Sequence, residues 1–286
     1  MNWGVEDETA PLRDVLLGPP DHFRWLPTSA ISKAALASGR TLTPADAAAA
    51  HGEMAAAYKD AGVTLHRLDP DPALAYQVFA RDSSVWSSAG PIVTQMHQWW
   101  RRGEYAPVIR FYQVAGIEID HMVTAAALEG GDLVLPAARC ALIGHCEERT
   151  QEPAARQVAG WLEALGWDVR LQPFDPHFVH IDVIVCMAAP GLAVICEEAA
   201  PPRLADWLRS KGLELLPVSY SDAMRLGANV MALGGDRVIS TAAAGSLNER
   251  LRALGLQVYD PDLWPFTMGG GGPHCLVQPL RRERAA

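Results

Sequence analysis

Lysine is nearly missing from this chain: Lys33, Lys59 and Lys211 stand alone, and arginine supplies the rest of the 24 basic residues. Genomic base composition is the plain explanation of that bias. The 33 acidic residues leave a formal charge of −9 and a pI near 5.4. That balance removes any general electrostatic reason to bind nucleic acid. Long hydrophobic runs are missing too. The most apolar stretch, 181–196, is broken by Asp182, Pro190 and Gly191, short of the roughly 18 residues a membrane helix requires. The acidic start, Met1 to Glu8, lacks the basic-then-apolar order of a secretory signal. A cytoplasmic location with reduced thiols is therefore expected. The five cysteines, at 140, 146, 186, 196 and 275, are odd in number and lack paired metal-ligand spacing. Cys146 follows His145 directly, but no second ligand pair comes at zinc-site spacing, so no metal is expected.

What remains is the balance of a soluble globular protein with a full core, 49% apolar and 20% charged over 286 residues. That length permits one large domain or two modest ones. No linker or low-complexity segment divides the chain, so one domain over residues 1–286 is expected.

A short phrase recurs along it. A helix-like segment ends at a glycine and a strand-like run follows, at Gly62, Gly116, Gly166, Gly212 and Gly255, separated by 54, 50, 46 and 43 residues. Residues 47–60, 154–165, 202–211 and 246–254 place apolar residues three and four apart, which predicts amphipathic helices. Glycine ends each one because it takes the left-handed conformation without steric cost. The second copy is the weakest, since 108–113 does not read clearly as a helix. Strand–turn–strand patterns follow at 133–143, 181–196 and 229–240. Each unit thus reads helix, strand, strand, turn, strand. Such a unit cannot bury its own apolar face, so five copies must pack together, and closing in a ring would give them a central axis.

Four unusual segments sit before or at the start of strands: residues 79–84 with Asp82, Glu129-Gly-Gly-Asp132, His180-Ile-Asp182, and the four glycines leading to Pro273, His274 and Cys275. Each has an ordinary reading as a turn, an edge histidine or a packing cysteine. The glycine run is the most telling, because each glycine costs roughly 0.5–1 kcal/mol in a regular element, so something must approach that backbone closely. It lacks the Gly-Lys-Ser/Thr ending of a phosphate loop. Together the segments spell a chemistry. Cys275 needs a base or cation to become a thiolate; His180 supplies one and carries a proton; Glu129 holds the imidazole in one tautomer. Asp82 and Asp182 remain as two carboxylates facing one pocket, a preference for a planar cation such as a guanidinium.

Arg81-Asp82, Glu129-Gly-Gly-Asp132, His180-x-Asp182 and Gly-Gly-Gly-Pro-His-Cys275 together resemble the pentein, or guanidino-group-modifying, superfamily, over nearly the whole chain. The resemblance implies a five-bladed α/β propeller, attack of Cys275 on a guanidino carbon, a covalent thiouronium intermediate, and His180 as acid and then base. It places Asp82 and Asp182 on the guanidinium. It likens Arg149 and Arg101 to residues that bind the substrate α-carboxylate, with a solvated surface charge as the other reading of either. No cofactor is implied. The expected partner is a small guanidino substrate, with homo-oligomerisation left open.

Within the superfamily the signals conflict. Glu129, where amidinotransferases carry Asp, favours hydrolysis. His180-x-Asp182 resembles arginine and agmatine deiminases, whereas the compact length resembles dimethylargininases. The leading expectation is hydrolysis of arginine or an Nω-methylated arginine to citrulline; amidino transfer and a non-catalytic binding module are the alternatives. A papain-like enzyme is disfavoured, because its cysteine precedes its histidine and lies near the N-terminus. Trp99 and Trp100 are candidates for a lid. The last strand is expected inside the propeller, with residues 281–286 as a frayed tail whose removal after Leu280 leaves activity intact, whereas truncation before Gly269 abolishes it.

Overall fold

The computed structural model describes residues 3–283. Its strands form five three-stranded sheets. β3 (Ser84–Trp86), β4 (Pro91–Val93) and β5 (His121–Met122) make one; β6 (Leu133–Ala137), β7 (Cys140–His145) and β8 (Asp168–Pro173) the next. β9 (Val185–Ala189), β10 (Leu192–Ile195) and β11 (Glu214–Pro217) follow, then β12 (Met231–Gly234), β13 (Arg237–Ile239) and β14 (Gln257–Tyr259). The fifth joins the two ends of the chain, β15 (Val277–Arg282) pairing with β1 (Leu12–Leu17), and β1 with β2 (Thr64–Arg67).

All five sheets share one plan. The first two strands are antiparallel, a helix crosses over, and the third strand lies parallel to the second. The helices include α1 (Ala30–Ala37), α2 (Pro44–Asp60), α3 (Tyr105–Ala115), α4 (Glu152–Ala164), α5 (Leu204–Ser210), α6 (Tyr220–Ala223), α7 (Gly245–Ala253) and α8 (Trp264–Thr267). The repeat is therefore ββαβ, arranged as a five-bladed α/β propeller. β9 packs against both β6 and β12, and β12 against β1. Radial position decides the sequence pattern. The first strand of each sheet lies inside and is buried on both faces, so β9 reads as a continuous apolar run, whereas the third strands sit at the rim and are partly exposed.

The repeat glycines do what their spacing predicts. Gly62, Gly116, Gly166, Gly212 and Gly255 have φ of 77, 67, 80, 81 and 90°, each just past a helix. α2 also has a sequence-encoded start: Thr43 and Asp46 form a reciprocal capping box and Pro44 opens the first turn. The weak second copy is a full helix, α3. It was hard to read because Val108 and Tyr112 are buried while Ile109 and Phe111 pack partly against the same core, which blurs a single apolar stripe. No helix among the described residues is long and apolar enough to cross a membrane.

Two expectations are corrected. Residues 181–183 form a 3₁₀ turn, and the strand begins at Val185; the Ile181 N–H donates to Asp132 Oδ1 at 2.8 Å instead of to a neighbouring strand. Residues 281–283 are not frayed. Arg281 and Arg282 belong to β15, and Arg282 is buried, donating to the carbonyls of Ala10 at 2.7 Å and Ala232 at 2.8 Å. Residues 284–286 of the expected tail lie outside the described residues.

Candidate active site

The five inner strands share one direction of approach, so the residues just before them converge. Asp82 precedes β3, Glu129 and Asp132 precede β6, His180 and Asp182 precede β9, Asn229 precedes β12, and Cys275 precedes β15. Each blade thus brings a polar side chain to the middle. All of them are buried.

Glycine makes the convergence possible. A Cβ on Gly131 would stand 2.5 Å from His180 Nδ1, and one on Gly130 would stand 2.1 Å from the Arg81 carbonyl oxygen. The Glu129-Gly-Gly-Asp132 turn is therefore the floor on which His180 and the Asp82 segment rest. The later glycine run is explained in the same way. Cβ atoms on Gly269, Gly271 and Gly272 would meet Phe23 at 2.6 Å, Phe79 at 2.3 Å and Asn229 at 2.8 Å. What approaches that backbone is the protein's own side chains.

His180 Nε2 lies 2.8 Å from Glu129 Oε2, and Nδ1 lies 3.7 Å from Asp82 Oδ1. Glu129 Oε1 accepts from the His97 N–H at 3.1 Å, and the Glu129 N–H donates to Thr150 Oγ1 at 3.0 Å. Burial works against ionisation of Glu129, but Arg149, the His180 hydrogen bond and Arg101 outweigh it and hold the carboxyl well below its ordinary range. Burial likewise opposes a charged His180, yet Asp82, Asp132 and the contacts with Cys275 and Glu129 raise its pKa well above the ordinary value. The resting imidazole is thus a proton donor. Burial, reinforced by Asp182, pushes the Cys275 thiol up to about 12, so the resting cysteine is a thiol. Its Sγ lies 3.3 Å from Asp182 Oδ2.

A narrow pocket with an empty volume of ≈ 320 Å³ opens beside these groups, lined by Cys275, His180, Asp82, Arg101, Arg149 and the walls Phe79 and Tyr76. Glu129 and Asp182 stand behind that wall. Asp82 is bound on both oxygens: Oδ1 accepts from the Gly131 N–H at 3.1 Å and Oδ2 from Arg101 Nη1 at 2.9 Å. Arg101 is not a surface charge. It is buried, and its Nε and Nη2 donate to Glu104 at 2.9 and 2.7 Å. Arg149 Nη1 is 3.5 Å from Glu129, and its Nη2 donates to the Thr28 carbonyl at 3.2 Å.

Asp82, Glu129 and His180 present ligand atoms within 4.8 Å of one another, the spacing of a metal triad. Arg101 Nη1 already sits 2.9 Å from Asp82 and 3.5 Å from Glu129, so a divalent cation would have to displace a buried guanidinium.

Several residues escaped the sequence reading. Thr28 and Ser29, just before α1, line the pocket. The tryptophans expected as a lid do not line it: Trp99 is exposed, and Trp100 packs on Tyr76 at 5.0 Å. Asn229 Oδ1 accepts from the backbone N–H groups of His274 at 3.1 Å and Cys275 at 3.3 Å, while its Nδ2 donates to the Asp182 carbonyl at 3.0 Å. Its signal was its place just before the first strand of its unit. Glu8 lies next to His274, far from it in sequence, and had no signal at all.

The comparisons with known proteins bear on the fold and the family. The chain is 27% identical over 234 residues to the uncharacterized protein YkgA of Bacillus subtilis, covering 81% of this chain and 79% of that one. An arginine deiminase of Rhodococcus erythropolis is 26% identical over 257 residues, covering 76% of this chain and 62% of the relative. Among solved structures, a DDAH variant from Pseudomonas aeruginosa complexed with citrulline matches with a TM-score of 0.79 at 19% identity, over 94% of this chain and 99% of that one. The N-terminal domain of ArgZ, an arginine dihydrolase of cyanobacteria, bound to substrate, matches with a TM-score of 0.81 at 18% identity, over 93% and 97% of the two chains. Residues 26–282 match the family model described as N,N dimethylarginine dimethylhydrolase, eukaryotic, and the chain belongs to that family.

Proposed function

We propose that this protein hydrolyses the guanidino group of arginine or an Nω-methylated arginine, giving citrulline and ammonia or a methylated amine. The observation that carries the reading is one narrow pocket onto which a cysteine thiol, an imidazole held by a buried carboxylate, and a second carboxylate all open. Family membership and the arginine deiminase relatives support it.

In this reading the substrate guanidinium enters beside Asp82 and Cys275. Its positive charge next to the sulfur offsets the burial and the Asp182 anion that hold the thiol protonated. Cys275 gives up its proton to solvent as its Sγ bonds to the guanidino carbon, and the C=N electron pair moves to nitrogen. His180 gives its proton to the departing nitrogen, the C–N bond breaks, and the amine leaves. Water attacks the thiouronium carbon while His180 takes one of its protons, and the C–S bond breaks as the remaining hydroxyl proton passes to sulfur, releasing the ureido product. Glu129 keeps the imidazole aligned through both steps.

Arg149, at the pocket wall, is the contact for the substrate α-carboxylate. Arg101 joins it only by ceding Asp82 to the incoming guanidinium, so one guanidinium replaces another on the same carboxylate. For Asp182 to meet the guanidinium through Oδ1, which has no hydrogen-bond partner among the described residues, the substrate must pass beyond the pocket lining beside Cys275.

The test is mass spectrometry of products in H₂¹⁸O after separate incubation with L-arginine, dimethylarginine and agmatine, with Cys275→Ser as control. Label in the ureido oxygen of citrulline supports hydrolysis. A product that appears only when an amine acceptor is added would replace hydrolysis with amidino transfer. No product from any substrate would remove the catalytic reading.

A further inference from the structure

A second polar chain reaches Cys275, separate from the His180–Glu129 pair. Glu8 Oε1 lies 3.1 Å from His274 Nε2, His274 Nδ1 lies 2.9 Å from Asp182 Oδ2, and that same oxygen accepts from the Cys275 thiol at 3.3 Å. All four residues are buried, at 3%, 2%, 0% and 3% exposure. Both ring nitrogens of His274 lie within hydrogen-bond distance of a carboxylate oxygen. Pinned at two points, the ring cannot turn.

The backbone does not need this chain. Asn229 already holds the backbone N–H groups of His274 and Cys275, and Arg81 Nε donates to the His274 carbonyl at 3.1 Å. Nor does stability call for it, since a buried ionic cluster is commonly matched or bettered by apolar residues of similar volume. Two oxygens in it, Glu8 Oε2 and Asp182 Oδ1, are buried without a hydrogen-bond partner among the described residues. An unpaired carboxylate oxygen beside the sulfur is costly unless something comes to use it.

We propose that Glu8 and His274 are positioning residues that lock the Asp182 carboxylate, with Oδ2 on the thiol of Cys275 and Oδ1 left free for a guanidinium N–H of the substrate. This rests on the reading of Cys275 as the nucleophile. The His274 ring fixes which oxygen of Asp182 meets the sulfur. Glu8 fixes the ring, with Arg81 Nη1 3.8 Å away as the neighbouring cation. The thiol is thereby aimed before the substrate arrives, which is where a misplacement of about 1 Å can cost on the order of 100-fold in rate.

The experiment compares His274→Asn, whose amide can replace Nδ1 as donor to Asp182, with His274→Gln, whose longer chain reaches Glu8 instead. Glu8→Gln is the third variant. Two readouts are taken: kcat and KM on whichever guanidino substrate is turned over, and the pH profile of Cys275 alkylation by iodoacetamide without substrate. Cys275 faces Asp182, His180 and Asp82, so the profile reports their arrangement. His274→Gln is expected to lower kcat by roughly 30- to 100-fold with KM within about 3-fold, His274→Asn to recover most of that loss, and Glu8→Gln to cost about 5- to 10-fold. The alkylation profile should move in His274→Gln and stay in His274→Asn. Equal losses in both His274 variants, or a loss confined to KM, would overturn the proposal. If the parent enzyme turns over nothing, the functional reading fails, and the alkylation profiles alone still decide the relay.

Discussion

Arg101 Nη1 donates to Asp82 Oδ2 at 2.9 Å, so the carboxylate expected to grip a substrate guanidinium already holds one. The same arginine makes a two-point contact with Glu104 and stands 3.5 Å from Glu129. One buried cation thus serves three buried acids, and its removal leaves them uncompensated.

Arg101→Ala is expected to lower unfolding stability by about 3–5 kcal/mol, the range for breaking a buried pair by deleting one partner. Burial pushes the Glu104 carboxyl up to about 7 even beside Arg101, so adding Glu104→Gln should restore about 1 kcal/mol or more only well above pH 7, where an orphaned charge would otherwise remain. Urea unfolding of the single and double variants reads both numbers. A double variant no more stable than Arg101→Ala at that pH would show that Glu104 is not carried as a charge.

Asp132 gives a pH signature. Burial, only partly offset by His180, pushes its carboxyl up to about 7 from an ordinary 3.8. The unfolded chain releases this proton first, so Asp132 costs stability as pH rises from near 4 to 7, about 1.4 kcal/mol for each unit crossed, and the cost is complete above 7. Asp132→Asn removes that cost and keeps an acceptor for the Ile181 N–H. The stability gain of the variant over the parent should therefore grow from pH 4 to 7 and level off beyond it. A gain that is flat with pH, measured by urea unfolding at unit steps, would contradict the assignment.

Gly131→Ala should damage catalysis more than folding. The added methyl would stand 2.5 Å from His180 Nδ1, so the ring must give way. A shift of about 1 Å in a proton-transferring group is expected to cost on the order of 100-fold in kcat. Thermal unfolding and kcat measured on the same preparation separate the two effects, and a kcat within about 3-fold of the parent would mean that His180 does not work from this position.

The end of the chain is structural. A chain stopping at Leu280 loses the Arg281–Asp14 pair at 2.6 Å, the two carbonyl contacts of Arg282, and the Arg282 N–H bond to the Gly4 carbonyl at 2.9 Å. It is expected to be less stable by several kcal/mol, since the bonds lost at buried Asp14 and Ala232 leave partners unsatisfied at about 1–3 kcal/mol each. A chain ending at Glu283, which keeps these contacts, is the reference. Equal melting temperatures for the two would restore the view that the last strand ends early.

The architecture was legible because it is written in local physics that repeats. A helix needs a C-terminal stop, glycine supplies it, and five stops at near-constant spacing reveal five units from Gly62 to Gly255. The residues before the inner strands were legible for a related reason: charged and glycine-rich groups such as Glu129-Gly-Gly-Asp132 stand out against buried apolar strands. Their combined chemistry singled out Cys275, His180, Glu129, Asp82 and Asp182 as candidates, and the resemblance to the pentein superfamily supplied their roles.

Partnership was another matter. Whether Arg101 faces a substrate or Glu104, whether Trp99 covers the pocket or Thr28 does, and what His274 holds are all decided by side chains that meet across blades. Glu8 and His274 are 266 residues apart and touch only because β15 closes onto β1. By itself the sequence determined the repeat, the caps and the set of reactive side chains, since each depends on near neighbours. Only the tertiary structure decided which charge answers which, because in a buried cluster every ionised group takes its partner from whatever the closed ring brings within about 4 Å.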